Sequence, residues 1–297
     1  LTTPLRIPAH AKINLHLGVI GIRPDGYHEL RTIFQAISLH DTLELERVRR
    51  PGIDLVISGA ALDPGPTNLV WRALDTLSRE LRLGGGWRAR LEKRIPMAAG
   101  LGGGSSDAAA ALRGGLQLAK RPLAPERLAE LAAGLGADVP FFLVGGRALG
   151  VGRGDEVYPL EDGPRHAVLV VSPAGIEVPT RDAYAWVDRR LTKRSAPHRL
   201  WVSCARSWNL GDARLQNDFE AAVFHRFPRL GEIKHQLLDM GAAGAALAGS
   251  GSAVYGLFRN PAQARRAARQ FQRDRIFVAR TLTRAEFFRS AGEESGA

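Results

Sequence analysis

The sequence predicts an α+β fold arranged as two domains. Three observations carry this. The chain has 297 residues, enough for two ordinary cores. Strand-like and helix-like segments are mixed without the strict alternation of a βαβ array. The hydrophobic register also breaks at "LEDGPRH" and restarts with the continuous apolar run "AVLVVS". That break puts the expected boundary at 162/163, giving domains 1–162 and 163–297.

Each element follows from its pattern. "AKINLHLGVI", "DTLELERV", "GIDLVISG" and "WRARLEKRI" alternate as half-buried strands do. Residues 68–81 space Leu69, Ala73, Leu77 and Leu81 as a helix. Helices are expected at about 107–119 and at 124–136, the second stopped by a glycine. Pro140 keeps Val139 from helical geometry, so Asp138 falls at the exit of that helix. Residues 217–241 read as helix broken at Pro228. "PAQARRAARQF" reads as helix and "RIFVARTLTR" as a last strand. A basic stretch at 187–207, bordered by Trp186, Trp201 and Trp208, reads as irregular and matches no motif.

The segment "PMAAGLGGGSSDAAAAL" at 96–112 is a glycine loop running straight into an alanine-rich helix. Ser105, Ser106 and Asp107 stand at the junction as candidate N-caps. Backbone N–H groups delivered to a helix start make an anion site, since orphan donors and the helix dipole both favour negative charge. The loop is neither a Walker nor a Rossmann pattern, and a plain tight turn is the competing reading. Successive glycines cost about 1 kcal/mol each relative to alanine, which a mere turn does not require.

Three further pieces have chemistry to offer. Lys12 lies on an otherwise apolar strand with Asn14 on the same face, suiting a phosphate and a hydroxyl, or simply a solvated strand face. "AGSGSA" at 248–253 is a second glycine-serine turn, read as lying between a helix and a strand. Asp138 sits in "GADVPFF" among small and apolar neighbours, where a lone buried carboxylate is costly, so Lys12 is its expected partner. An Asp–Lys pair beside a phosphate cradle is what phosphoryl transfer uses.

Composition narrows the classes. Apolar residues make up 45% and charged residues 24%, as in a globular protein, and no apolar run reaches membrane-spanning length. No secretory leader is legible in the first residues. A single cysteine, Cys204, excludes an internal disulfide and fits a reducing cytoplasm. The net charge of +11 raises nucleic acid as a partner, yet the late arginine cluster lacks interleaved aromatics for stacking. A solvated basic surface, or a field that gathers a polyanionic small substrate, accounts for the same charge.

Taken in order, "AKINL", "PMAAGLGGGSSDAA", "GADVPFF" and "GAALAGSGSAVYG" resemble the GHMP kinase superfamily over nearly the whole chain. The resemblance implies a two-domain fold, with a ribosomal-protein-like N-terminal domain that binds ATP and an α/β-sandwich C-terminal domain. It implies an ATP- and Mg2+-dependent small-molecule kinase. Asp138 would be the catalytic base, with Lys12 linking it to the reacting hydroxyl. Pro96, Gly100, Leu101, Gly102, Gly103, Gly104, Ser105 and Ser106 would hold ATP. Ser106 is the candidate metal ligand, with Asp107 the one acid near the loop.

Within the superfamily, "RPDGYHELRTIFQAI", the double serine and "LQNDFE" favour the branch of the non-mevalonate isoprenoid pathway. There the 2-hydroxyl of a diphosphocytidyl methylerythritol is phosphorylated. Asn14 would hold the erythritol, Tyr27 would stack on cytosine and His28 would hydrogen-bond it. Tyr184, in "PTRDAY", would supply the opposing aromatic. Gly249, Ser250, Gly251 and Ser252 would border the substrate phosphates. A homoserine or mevalonate type kinase is the first alternative, and an RNA-binding protein on the same fold the second. No nucleic acid or membrane partner is expected, and the chain is expected to be a monomer or weak homodimer.

Overall fold

A computed structural model describes residues 4–191 and 215–289 of the chain. Strands β1 (Leu5–Ile22) and β2 (His28–Val48) form a long antiparallel hairpin. β3 (Gly52–Ser58) and β4 (Gly86–Glu92) extend it on one side, and β4 lies beside the second half of β2. β5 (Arg147–Gly152) pairs with the first half of β2, and β6 (Glu156–Pro159) with β5. Helices α1 (Leu69–Glu80), α2 (Gly103–Ala119), α3 (Pro125–Leu135) and the short α4 (Phe141–Val144) accompany this sheet. Asn68 caps α1 by accepting a hydrogen bond from the Val70 N–H.

The second sheet has the order β11-β7-β10-β9, antiparallel throughout. Its strands are β7 (Ala167–Ser172), β9 (Gly244–Leu247), β10 (Val254–Phe258) and β11 (Arg275–Arg280). Helices α5 (Thr180–Leu191), α6 (Glu220–Arg226), α7 (Pro228–Asp239) and α8 (Pro261–Ala268) belong to this half. Two segments cross back to the first sheet. β8 (Gln216–Asn217) pairs parallel with β1, and α9 (Arg284–Phe288) sends Phe287 into the first core.

Alternation along β1 is reset by an irregularity between His10 and Ala11. Before it, Ile7 and Ala9 pack in the core that contains α1 and α2; after it, Ala11, Ile13 and Leu15 pack against Val168, Val170 and Tyr255 of the second sheet. Lys12 and Asn14 are thereby turned to the opposite face, with Phe34 and Ala36 of β2 as their strand partners. That irregularity, at which Ser38 and Leu39 of β2 have no register partner on β1, decides which face carries the polar pair.

Three expectations are corrected. α2 begins at Gly103, not near 107, and its N-cap is Gly102 in the left-handed region; Ser105, Ser106 and Asp107 lie inside the helix and cap nothing. The second glycine-serine turn joins two strands, β9 and β10, rather than a helix and a strand. Residues 187–191 continue α5, so the irregular stretch loses its first residues to a helix. Its remainder, with Trp201, Cys204 and Trp208, lies outside the described residues.

Candidate active site

The two glycine loops pack backbone to backbone. The N–H groups of Ser252 and Ala253 donate to the carbonyls of Ala98 and Ala99, at 3.1 and 3.2 Å. Gly100 has φ +75°, and a Cβ there would collide with the Ala248 carbonyl. Gly102 has φ +72°, and its Cβ would stand 2.8 Å from Phe142 Cζ and 3.1 Å from Lys12 Cγ. The glycines therefore let two loops and a lysine close on one another, besides freeing backbone donors.

Lys12 is buried and its Nζ lies 3.4 Å from Asp138 Oδ2. The same ammonium donates to Asn14 Oδ1 at 2.9 Å. Asn14 Nδ2 donates to Thr32 Oγ1 at 2.7 Å, and that hydroxyl donates to the His16 carbonyl at 2.8 Å. Tyr255 OH donates to the Asn14 carbonyl at 2.7 Å, across the two sheets. This chain fixes the Asn14 amide with its oxygen toward Lys12, leaving one N–H to spare. Asp138 is only one-third exposed, and its charge adds to burial in raising the Tyr184 phenol above its ordinary pKa.

A cavity of about 1090 Å³ runs past this pair. Its lining includes Leu62, Asn68, Leu69 and Met97 as well as Tyr27, His28, Tyr184 and Asp188. His28 Nε2 lies 2.6 Å from Asp188 Oδ1, and the His28 ring stacks on Tyr184 with centroids 4.3 Å apart. The stack forms because α5 brings Tyr184 and Asp188 together onto that imidazole. Tyr27 is exposed at the rim, with the Arg153 guanidinium 4.9 Å over its ring.

Fifteen of the expected site residues line this one cavity, namely Lys12, Asn14, Tyr27, His28, Pro96, Gly100, Leu101, Gly102, Gly103, Gly104, Ser105, Asp138, Tyr184, Gly249 and Ser250. Ser106, Gly251 and Ser252 do not. Ser106 is buried in α2, Ser252 donates its N–H to the Ala98 carbonyl of the first loop, and Gly251 donates within its own turn to the Ala248 carbonyl. The sequence reading missed Thr32, Lys93, Tyr255, Asp188 and Arg153. Lys93 sits under the loop, bridging the buried carboxylates of Asp41 and Asp107. Only Lys93, charged at the end of an alternating strand, carried any signal.

For magnesium the side chains do not fit. Ser106 is buried outside the cavity lining, Asp107 lines the cavity with Oδ2 bonded to Lys93 and only Oδ1 left over, and no cluster of three or more His, Cys, Asp or Glu exists among the described residues.

The fold and the cavity define the class as that of the GHMP kinases. Residues 68–146 match the family's N-terminal domain and residues 203–275 match "GHMP kinases C terminal". The chain is 47% identical over 266 residues to a 4-diphosphocytidyl-2-C-methyl-D-erythritol kinase of Solibacter usitatus, covering 87% of this chain and 83% of that one. It is 42% identical to the kinase of the same name in Pelotomaculum thermopropionicum, over 92% and 96% of the two chains. A crystal structure of 4-(cytidine 5'-diphospho)-2C-methyl-D-erythritol kinase superposes with TM-score 0.80 at 37% identity, over 93% of this chain and 99% of that one. The chain belongs to the 4-diphosphocytidyl-2-C-methyl-D-erythritol kinase family. Mevalonate kinase of Methanococcus jannaschii, at 16% identity and TM-score 0.73 over 95% and 99% of the two chains, shares the fold.

Proposed function

We propose that this chain transfers the γ-phosphoryl group of ATP to the 2-hydroxyl of 4-diphosphocytidyl-2-C-methyl-D-erythritol. One observation carries the reading: the Lys12–Asp138 pair shares a single cavity with a glycine loop and an aromatic–imidazole cluster. The loop and the start of α2 suit the nucleotide phosphates, through backbone donors and the helix dipole. Gly100 to Ser105, with Pro96, make this cradle.

Asp138 accepts the proton of the substrate hydroxyl, or orients it, as the oxygen attacks phosphorus. Lys12 offsets charge on the moving phosphoryl group and holds the carboxylate in place. The spare Asn14 N–H is available to an erythritol hydroxyl. Tyr27, His28 and Tyr184 supply stacking and a hydrogen bond for cytosine, where base–aromatic stacking is worth about 1–3 kcal/mol. Asp188 fixes the imidazole so that its other nitrogen is left for the base. Gly249 and Ser250 border the substrate beside Lys12. Magnesium enters as part of the nucleotide substrate, its charge shielding the phosphates.

We further infer a reducing cytoplasmic setting from the lone cysteine, and a monomer or weak homodimer needing no nucleic acid or membrane partner. Among the described residues no helix is long and apolar enough to cross a membrane. A domain division at 162/163 suits the change of sheet between β6 and β7.

The test is ADP release by the purified protein with Mg-ATP and the cytidyl substrate, beside homoserine and mevalonate, repeated with Asp138→Ala and Lys12→Met. Turnover of the cytidyl substrate alone, reduced about 10²–10⁴-fold in Asp138→Ala, is the expected result. Turnover of another alcohol would overturn the substrate. RNA binding with a steep salt slope and no kinase activity would overturn the reading altogether.

A further inference from the structure

The cationic side chains lining the cavity are unequal in charge balance. Lys12 faces Asp138, Lys93 is shared by Asp41 and Asp107, and Arg153 is bonded to Asp155. Arg181 lines the same cavity, and among the described residues it has no carboxylate partner. Among the described residues, Arg181 is thus the cavity's one Lys or Arg side chain without a carboxylate partner.

Its place on α5 is informative. Arg181, Tyr184 and Asp188 share one helical face, spaced by three and four residues, and all three line the cavity. Next to Arg181, Thr180 Oγ1 lies 3.2 Å from Ser250 Oγ. The adjoining Gly249 abuts the reaction centre, where a Cβ would stand 3.3 Å from Lys12 Nζ. The first turn of α5 thus runs from the Lys12 side toward the Tyr184–His28 stack, about 6 Å along the axis for four residues. The proposed substrate carries its groups in the same covalent order: reacting hydroxyl, diphosphate, cytidine. The middle of that order coincides with Arg181.

We propose that Arg181 binds the diphosphate of the substrate and sets the preference for a diphosphate-bearing alcohol over an uncharged one. The proposal rests on the cytidyl reading of the site given above. Guanidinium suits it, since its planar donors match phosphate oxygens and its charge is permanent. Exposure to solvent limits the effect, because water and salt screen such a contact.

The experiment compares CDP and cytidine as competitive inhibitors of the wild type, Arg181→Ala and Arg181→Lys, at low and high salt. In Arg181→Ala, CDP weakens about tenfold while cytidine is unchanged. KM for the cytidyl substrate rises in parallel, kcat stays within about twofold, and KM for ATP does not move. The salt dependence of kcat/KM becomes shallower, and Arg181→Lys recovers part of the loss. Unchanged CDP inhibition in Arg181→Ala overturns the proposal. So does equal weakening of CDP and cytidine, which would mean that Arg181 only props the aromatic stack. A wild type that does not turn over the cytidyl substrate overturns the underlying reading instead. Arg181 is exposed, so folding of the variants is not in question.

Discussion

Lys93 and Asp107, fourteen residues apart in the chain, meet 2.6 Å apart beneath the glycine loop, one at its entrance and one at its exit. Asp41 completes the fastening: its Oδ2 accepts from Lys93 and its Oδ1 accepts from the Ile95 N–H at 2.8 Å. Both ends of the phosphate cradle are thereby tied to β2. The arrangement holds two buried carboxylates on one ammonium. Asp107 Oδ1 is buried without a partner, which leaves the carboxylate poorly compensated.

Burial, opposed by Lys93 and reinforced by Asp41, pushes the Asp107 carboxyl up to about 7. A folded pKa above the unfolded one means that the native state retains a proton that the unfolded state has lost. This contribution to stability is full below about pH 4 and is lost as pH rises through about 7. Urea midpoints measured from pH 4 to 8 should therefore carry a falling component in the wild type that Asp107→Asn lacks. Parallel profiles for the two proteins would contradict the assignment.

His10 makes the opposite prediction. It is buried, and burial, followed by the charges of His40, Arg113 and Arg280, lowers its pKa from 6.5 to about 3. Its neutral form stabilises the fold above pH 6.5, and the stability is lost as pH falls toward 3. The loss approaches about 1.4 kcal/mol per pH unit below 6.5. His10→Gln should show a shallower acid limb in the same titration, whatever its stability at pH 7.

Gly100 tests the joining of the two loops. Gly100→Ala forces a Cβ against the Ala248 carbonyl in a left-handed backbone, for a cost of about 1–3 kcal/mol or more. Nucleotide affinity, read by calorimetry, should fall together with the melting temperature. Ala substitution at Gly104, where the nearest atom to the new Cβ is Leu69 Cδ1 at 3.5 Å, should spare the melting temperature. Equal losses in the two variants would argue against loop-to-loop packing as the reason for glycine at 100.

Asp188 tests the orientation of His28. Asp188→Ala removes the carboxylate that lies 2.6 Å from the imidazole and frees the ring to turn. KM for the cytidyl substrate and the inhibition constant of cytidine should both rise about tenfold, the scale of one hydrogen bond to a charged group. KM for ATP should stay put. Because cytidine itself is affected, this variant is told apart from Arg181→Ala by a single pair of inhibitors.

Much of the site was legible one segment at a time. Lys12 and Asn14 stand out because alternation puts two polar residues on one face of an apolar strand, and Asp138 because Pro140 marks the helix exit before it. Local pattern goes no further. Thr32, Tyr255 and Asp188 look ordinary in their own segments, and their roles come from partners 18, 241 and 160 residues away. Ser106, Gly251 and Ser252 show the converse, since a motif places them at the site and packing turns them away from the cavity.

The sequence by itself determined many of the strands and helices, the glycine loop before α2, and the nearness of residues two or four apart. These depend on backbone propensity and on periods of 2 and 3.6 residues, which a short window contains. Tertiary structure alone decided which face β1 turns to the cavity, through the irregularity after His10. It also decided that two glycine loops from different halves of the chain interlock, and that one ammonium serves two buried carboxylates. Those outcomes depend on burial and on charge pairing across the folded chain, and neither quantity exists until distant segments share one interior.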